Sequence, residues 1–379
     1  MNWLRKSFSK VKGDNAVLPT TIDRWFCVEF NINTYGDSWV FDCGEGSQTQ
    51  LMKSCVKPGK ISKIFISHLH GDHLFGLPGL LCTISMNNAR KAPVEIYGPE
   101  GLCKYIRTCL NLSRSLLEFN FTVCELKVLE NQLAEDLKDW VVDHSSLSEK
   151  SHPNENPKSL IYPNSNQIWS LFENETAFVK AVSLKHRIPS FAFVIEEKPL
   201  PGKLNAQFLS DKGIPPGPLY KELKSGMKIT SPSGEVICPE DVLGPPIKGR
   251  KVVIAGDSCD SKELLKIGQN CHLLVHEATL SDNMFEQALQ NGHSTPSQVG
   301  QLALELGASH LVLTHFSQRY QVLSPEESTL SKNSGKDKIS VKIILEDILK
   351  SVGDNLIKVE LAEDFKVVDV KRQDLGQNV

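Results

Sequence analysis

The chain lacks the features that mark several large classes of protein. In its 379 residues no apolar run approaches the ~18 residues that a membrane-spanning helix needs, so no membrane partner is expected. None of its ten cysteines is spaced as C-x-x-C, which disfavours a zinc ribbon or a thioredoxin-type site. The formal net charge is −3, so any nucleic acid would have to be bound by local basic patches.

A recognisable signal peptide and an internal repeat are also lacking. We therefore expect free thiols in a reducing compartment, and a cytosolic protein with the nucleus as an alternative location. The first dozen residues carry four basic and no acidic side chains. A mitochondrial presequence shares this pattern, but a solvated basic terminus is favoured over it.

What the chain does contain is ample material for a core, since 40% of its residues are hydrophobic. Strand patterns alternate with helix patterns, which is typical of an α/β protein. One helix should begin near residue 295, where Thr295 and Gln298 form a capping box, and end at Gly307. The length permits two or three units, but we predict one domain spanning 1–379, with surface insertions within the weakly patterned stretch 111–180.

Polar side chains follow several predicted strands directly. The carboxyl ends of strands are where α/β sheets bind ligands. The predicted strands are 38–41, 61–67, 251–255, 272–276 and 310–314, with two more flanking His186. Because these strands end in His, Asp, Glu or Ser, the sequence predicts a polar site at one sheet edge.

The strongest signal is the run His68-Leu69-His70-Gly71-Asp72-His73. Imidazole and carboxylate groups are the ligands of catalytic zinc. Four donors in six residues cannot all reach one tetrahedral ion and leave a position open, so two metal ions sharing the loop is the natural interpretation. The alternatives are a closed single zinc site or a pH-sensitive histidine cluster. A closed structural site would normally use cysteine.

A site with two metals needs donors from other strand ends, and His186, Asp257 and His315 are the candidates. Each alone could be an ordinary hydrogen-bonded or turn-capping residue. Together with the loop they supply seven donors, and the Asp257 carboxylate could span two cations.

These residues and their order resemble those of a known family. A strand followed by H-x-H-x-D-H and then by isolated His, Asp and His is similar to the metallo-β-lactamase superfamily. Eight segments resemble more narrowly its short-form ribonuclease Z family, the ELAC-type zinc phosphodiesterases. They are DCGEGSQTQ (42–50), FISHLHGDHLFGLPGLL (65–81), KHRIPSFAF (185–193), GIPPGPLYKEL (213–223), GRKVVIAGDS (249–258), HEATL (276–280), GHSTPSQ (292–298) and LTHFSQRY (313–320).

The resemblance implies a four-layer αβ/βα sandwich with two zinc ions per subunit at its edge. It also implies a role for each site residue. His68, His70 and His186 would bind the first zinc, Asp72, His73 and His315 the second, and Asp257 both. Asp72 would also be the general base and His293 the general acid.

The segment 196–250 is rich in proline, glycine and lysine and is predicted to be an inserted, semi-rigid arm that protrudes from the domain. The resemblance implies that it grips tRNA away from the cleaved bond. Its candidate contacts to RNA are Lys203, Lys212, Gly217, Pro218 and Lys221.

The implied activity is hydrolysis of a phosphodiester at the tRNA 3′ end, which removes the 3′ trailer of precursor tRNA and leaves a 3′-hydroxyl. A homodimer is also implied. The alternatives are tRNA 3′-end repair such as cyclic-phosphate removal, another hydrolase of the superfamily, and a scaffold without activity. The chain departs from the family pattern over residues 1–24, where only Pro19–Arg24 is similar, so the family's edge strand could be altered.

Overall fold

The computed structural model describes residues 37–54, 56–86, 90–137, 150–157, 159–321, 339–363 and 365–372, together with the backbone of two strands nearer the N-terminus. In these residues the β-strands form two large sheets and two small ones. In chain order the strands are β1 (Asn15–Leu18), β2 (Val28–Ile32), β3 (Asp37–Phe41), β4 (Ile61–Phe65), β5 (Val94–Pro99), β6 (Phe121–Leu126), β7 (Ser159–Ile161), β8 (Ile168–Glu173), β9 (Ala177–Leu184), β10 (Ser190–Glu197), β11 (Ile229–Thr230), β12 (Val236–Ile237), β13 (Lys251–Ala255), β14 (Leu273–Glu277), β15 (His310–Thr314), β16 (Tyr320–Gln321), β17 (Ile339–Ser340), β18 (Lys358–Leu361) and β19 (Lys366–Asp369).

Most helices in the same residues are short. They are α1 (Ser47–Leu51), α2 (Gly71–Leu74), α3 (Leu77–Ser85), α4 (Leu102–Ser113), α5 (Ala206–Asp211), α6 (Pro218–Lys224), α7 (Pro239–Val242), α8 (Phe285–Asn291), α9 (Pro296–Leu306) and α10 (Lys342–Val352). Single 3₁₀ turns occur at Pro58–Lys60, Glu130–Gln132, Glu135–Leu137, Lys262–Lys266 and Asp282–Met284. Within the described ranges, none of the helices has the length and apolar character needed to cross a membrane.

The first large sheet has eight strands in the order β19-β1-β2-β3-β4-β5-β6-β7. Strands β3 to β7 run parallel, while β1, β2 and β19 pair antiparallel. The second sheet has seven strands in the order β18-β15-β14-β13-β10-β9-β8, and β13, β14, β15 and β18 are parallel. Both sheets therefore present a row of parallel carboxyl ends. The sequence analysis expected one such edge, but the structure has two, one on each large sheet.

The chain divides into two compact units, and the larger one contains most of both large sheets. Along β4, Ile64 packs in one apolar cluster with α3 and α4, while its neighbour Phe65 stacks 4.6 Å from the ring of Phe41 and 5.3 Å from that of Phe193 on β10. A second cluster joins the other face of the second sheet to α9 and α10. Because strand residues alternate between faces, the order is helix, sheet, sheet, helix, which confirms the predicted αβ/βα sandwich.

The smaller compact unit is built mainly from Ile195–Lys251. The composition predicted a semi-rigid arm without a core, but the unit has a small core of its own. Its buried apolar side chains are Leu209, Ile214, Leu223, Ile229, Ile237 and Val242. They come from α5, α6, α7 and the β11–β12 hairpin, so we call residues 205–242 the head.

Two expectations about the large sheets are revised by the structure. The stretch 111–180 is not only surface insertion, since it supplies β6, β7 and β8, and Trp169 on β8 is fully buried. Near the N-terminus, where the edge strand was in question, β1 is an interior strand of the first sheet, since it pairs with β19 on one side and β2 on the other. Pro19–Arg24 lie outside the described residues.

Candidate active site

The histidine-rich loop begins where β4 ends and runs into α2. Backbone hydrogen bonds fix it, with Asp42 N donating to Phe65 O at 2.7 Å and Cys43 N to His73 O at 2.7 Å. The loop also passes close to the turn after β3, since a Cβ on Gly44 would lie 1.8 Å from Asp72 O. Glycine at position 44 is therefore required for the loop to reach this position.

The seven predicted metal-binding side chains converge, although they come from four separate segments. Their donor atoms form groups of three, and the atoms within each group lie within 4.8 Å of one another. One group is His68, His70 and His186, a second is Asp72, His73 and His315, and a third is His68, His73 and Asp257. The first two groups match the two predicted zinc sites.

Asp257 lies between these groups and is almost fully buried. Its Oδ1 lies 3.5 Å from Nε2 of His73, and its Oδ2 lies 3.3 Å from Nε2 of His315 and 3.8 Å from Nε2 of His68. Because its oxygens face donors of both groups, this carboxylate is placed to bridge two cations.

The donors of the first group are oriented as metal ligands. Nδ1 of His68 hydrogen-bonds Ser67 Oγ at 2.9 Å, while its buried Nε2 has no hydrogen-bond partner among the described residues. Nδ1 of His186 donates to Gly292 O at 2.7 Å, which turns its Nε2 towards Nδ1 of His70 at 3.2 Å. Burial lowers the pKa of His68 and His186, and lowers that of His70 to about 4, so the neutral form that binds metal is favoured.

His73 is held by a residue that the sequence analysis missed. Its Nδ1 donates to Asp42 Oδ2 at 2.9 Å, and Asp42 in turn accepts from Ser67 N at 2.6 Å and Ser67 Oγ at 2.7 Å. A carboxylate behind a ligating histidine fixes its tautomer and orientation. Burial opposes the charged imidazole, but Asp257 and Asp42 outweigh it and raise the pKa of His73. Asp42 has φ 59°, and its position directly after β3 was the only sequence signal for this role.

His315 follows β15, with φ 57°. Its Nδ1 lies 2.9 Å from Thr279 Oγ, which leaves Nε2 3.3 Å from Asp72 Oδ2. Burial would raise the pKa of Asp72, but the hydrogen bond from His315 and the nearby His73 lower it to about 2. Asp72 is more exposed than Asp257, so one side of its carboxylate remains open to solvent.

His293 lies beside the same donors, and its Nδ1 donates to Glu277 Oε1 at 2.9 Å. Glu277 is buried and also accepts from Ser258 N at 2.9 Å and Thr279 N at 3.0 Å. Burial alone would lower the pKa of His293, but the Glu277 carboxylate raises it to about 9. The sequence analysis did not assign Glu277 this role, although it lies in the quoted segment HEATL. His293, Asp257 and His315 also lie close enough together to hold a metal ion, so the geometry permits a ligand role as well.

The predicted RNA contacts all lie in the smaller unit, and they differ in their surroundings. Lys203, Gly217, Pro218 and Lys221 are exposed. Gly217 and Pro218 begin α6, and Lys221 lies in its last turn. Lys212 instead pairs with Glu235 at 2.6 Å, so part of its charge is already neutralised.

The two sheets and the His/Asp clusters at their edge define a hydrolase of the metallo-β-lactamase fold. Among solved structures, the chain is similar to human tRNase Z, short form, at 32% identity and a TM-score of 0.61, over 95% of this chain and 97% of that one. A metallo-β-lactamase fold protein, YhfI from Bacillus subtilis, shares the fold at 13% identity and a TM-score of 0.50, over 93% and 98%. The chain belongs to the ribonuclease Z family, in its short, ELAC-type form.

Sequence relatives support this assignment. The human zinc phosphodiesterase ELAC protein 1 is 44% identical over 342 residues, which are 88% of this chain and 91% of that protein. Ribonuclease Z of Brevibacillus brevis is 33% identical over 95% of this chain and 96% of that protein. A family model described as Anti-Pycsar protein Apyc1 matches residues 23–138, less than a third of the chain.

Proposed function

We propose that this protein is a zinc-dependent endonuclease that hydrolyses the phosphodiester at the tRNA 3′ end, removing the trailer of precursor tRNA and leaving a 3′-hydroxyl. The convergence of seven donor side chains around Asp257, in a member of the ribonuclease Z family, carries this proposal. His68, His70 and His186 would hold one zinc ion, Asp72, His73 and His315 the other, and Asp257 both. When bound, the pair of ions activates water and offsets the negative charge that develops on the phosphate.

Asp72 is suited to accept a proton. Its carboxylate is partly exposed, and one of its oxygens lies 3.3 Å from Nε2 of His315 within the donor cluster. An ionised carboxylate that faces solvent can orient the attacking water and take up its proton.

His293 is suited to donate a proton to the leaving 3′-oxygen. Its Nδ1 hydrogen is committed to Glu277, so its Nε2 hydrogen is the one that remains for transfer. The raised pKa keeps the imidazolium populated at neutral pH, as a general acid requires.

The head is the proposed grip on tRNA. Its lysines at 221, 224 and 228 are exposed, as is Lys203 just before the head, whereas Lys198 pairs with Glu173 at 2.6 Å. Lysines of this kind neutralise phosphates and position the RNA without reading its sequence. Local patches of this kind allow an acidic protein to bind a polyanion.

The homodimer that we propose is supported by three exposed apolar side chains of the first helical layer. Met52, Phe75 and Met86, at the ends of α1, α2 and α3, are each more than half exposed. Exposed apolar side chains on neighbouring helices are typical of an interface, and a two-fold dimer would bury the same face of both copies. The proposed location is the cytosol, with the nucleus as the alternative.

Repair of damaged tRNA 3′ ends would use the same site, and the substrate decides between the two activities. Purified protein should be incubated with 3′-extended tRNA and with tRNA ending in a 2′,3′-cyclic phosphate, and the products sequenced and tested for a 3′-hydroxyl. Cleavage of the extended tRNA with a single new 3′-hydroxyl end supports the proposal. Turnover of the cyclic phosphate alone would favour repair, and no turnover of either would contradict both.

A further inference from the structure

The two chain segments that lead into and out of the head pair with each other at several points. Glu197 N donates to Arg250 O at 2.8 Å, and Leu200 and Ile247 exchange two backbone hydrogen bonds of 2.9 Å. Near the head, Leu204 bridges Leu243 in the same antiparallel sense. The register is constant, because each step along one segment is matched by one step back along the other. We call residues 197–204 and 243–250 the stem.

The stem is also closely packed at two glycines. A Cβ on Gly249 would lie 1.8 Å from Glu197 O, and a Cβ on Gly202 would lie 1.9 Å from Gly244 O. Backbones this close leave no room for a side chain between them. The stem is therefore a closely packed pair of antiparallel segments.

A buried ion cluster closes the end of the stem away from the head. Glu197 Oε2 accepts from Arg250 N at 3.1 Å and Arg250 Nε at 2.8 Å, while Oε1 accepts from Arg250 Nη2. Arg372, from the C-terminal segment, places Nη2 3.0 Å from the same carboxylate. The side chains of Glu197 and Arg250 are each only 2% exposed.

Three chain segments meet at Glu197: its own, the returning segment of the stem and the C-terminal segment. One bidentate arginine comes from the returning strand of the stem and one arginine from the C-terminal segment. Removing the carboxylate would take from the buried Arg250 its bidentate partner and from Arg372 an ion pair of 3.0 Å, and the loss of one partner from a buried ion pair is strongly unfavourable. Loss of Glu197 should therefore loosen all three segments where they meet.

We propose that Glu197 is a positioning residue for tRNA cleavage, which with Arg250 and Arg372 holds the stem stiff so that the head is presented to tRNA in one orientation. This inference rests on the proposed role of the head as the tRNA grip. A substrate bound at two points gains affinity from the effective concentration of the second contact, and a stiff connection of the right geometry maximises it. A loosened stem should therefore weaken tRNA use without touching the chemistry.

The test compares Glu197→Gln and Arg372→Met with wild type on tRNA and on bis-nitrophenyl phosphate. For tRNA we expect KM to rise roughly tenfold in E197Q and roughly threefold in R372M, with kcat changed less than twofold. Turnover of the small diester should be unchanged. Hydrogen exchange should speed up at the amides of Leu200 and Ile247, while the amides of the buried head cluster keep their protection.

Matched controls separate positioning from general damage. Glu196→Gln removes the neighbouring carboxylate, which is half exposed and lies 3.7 Å from Lys251, and it should leave tRNA kinetics unchanged. Arg372→Lys, which keeps the charge, should recover most of the loss seen in R372M. Should E197Q fail to fold, R372M alone decides, because Arg372 is partly exposed and near the chain end.

Three results would overturn the inference. They are wild-type tRNA KM in R372M, an equal loss on both substrates, and unchanged exchange at Leu200 and Ile247. If removing the head itself spares tRNA cleavage, the proposed grip is wrong. If removing the head impairs cleavage but neither stem variant does, only the role of Glu197 is wrong.

Discussion

His293 Nδ1 and Glu277 Oε1 lie 2.9 Å apart at the edge of the metal-binding cluster, and the carboxylate is the buried member of the pair. Glu277 cannot move freely, because the backbone amides of Ser258 and Thr279 also donate to it. This contact both orients the imidazole and raises its pKa. If His293 is the general acid, Glu277 sets the pH range over which it works.

We therefore predict that Glu277→Gln shifts the basic limb of the pH–rate profile to lower pH. A general acid must be protonated, so activity falls as pH rises through its pKa. In wild type that fall should occur near pH 9. Without the carboxylate, burial opposes protonation and only the more distant Asp257 still favours it, so the pKa of His293 should fall and activity on tRNA should decline at lower pH than in wild type.

The measurement is kcat/KM for tRNA between pH 5.5 and pH 10, with zinc content checked for each protein. Glu286→Gln, an exposed carboxylate on α8, should keep the wild-type profile. An unchanged basic limb in Glu277→Gln would mean that the loss of activity at high pH is not caused by deprotonation of His293.

The second prediction concerns the carboxylate between the two donor groups. Asp257→Asn should lower the zinc content from about two ions per chain to about one or fewer, because an amide bridges two cations far less well than a carboxylate. Elemental analysis after gel filtration measures this. Asp260→Asn, three residues along the same turn but exposed, should retain both ions. One ion per chain in wild type and in Asp257→Asn alike would contradict the two-metal site.

Much of this site could be predicted from the sequence because its donors directly follow strands. Parallel strands bring their carboxyl ends to one edge, so Asp257 and His315, which follow β13 and β15 of the second sheet, had to lie close together if the strand assignments were right. His68 follows β4 of the first sheet, and it meets them only because the two sheets pack against each other. Asp42 and Glu277 were not assigned, because a carboxylate behind a histidine is recognised only once the partner is known. Asp42 meets His73 through the pairing of β3 with β4, which local patterning does not specify.

The remaining misses have a similar cause. The strands β6, β7 and β8 have short or mixed patterns. β6 and β7 pair with strands that are distant in the chain, whereas β8 pairs with β9, the next strand along it. The core of the head consists of six side chains spread over residues 209–242, one or two per element, so no local window shows an apolar periodicity. Its composition therefore suggested an arm without a core.

The third prediction concerns the head. Replacing residues 205–242 by Asn-Gly should close the stem with a tight turn, since Leu204 already pairs with Leu243. Hydrolysis of bis-nitrophenyl phosphate should be spared, while cleavage of tRNA should fall by roughly 10²-fold or more.

Lys221→Ala with Lys224→Ala should weaken tRNA binding and reduce the slope of log K against log salt by about two. Lys212→Ala, whose partner is Glu235, should change that slope less. Full tRNA turnover without the head would show that the grip lies elsewhere.

The fourth prediction concerns assembly. Phe75→Glu combined with Met86→Glu should convert a dimer to a monomer, because charges on this face would be buried against the second copy. Light scattering and sedimentation measure the change. Leu356→Glu, a fully exposed residue between α10 and β18, should leave the dimer intact. A wild-type protein that is monomeric and fully active on tRNA would refute the dimer.

The last prediction separates the roles of Asp72 and His293. Asp72→Ala should lose activity together with part of the metal, because Asp72 is assigned as both ligand and base. His293→Ala should keep both zinc ions and normal tRNA binding, and lose the ~10²–10⁴-fold that general acid catalysis supplies. The loss should shrink for a nitrophenyl ester, since nitrophenolate leaves without a proton whereas a ribose 3′-oxygen requires one. His293 also lies within ligand distance of Asp257 and His315, so the metal content of the variant is the decisive control. Loss of zinc, or an equal loss of rate on both substrates, would show that His293 acts as a ligand or orients the substrate and is not the proton donor.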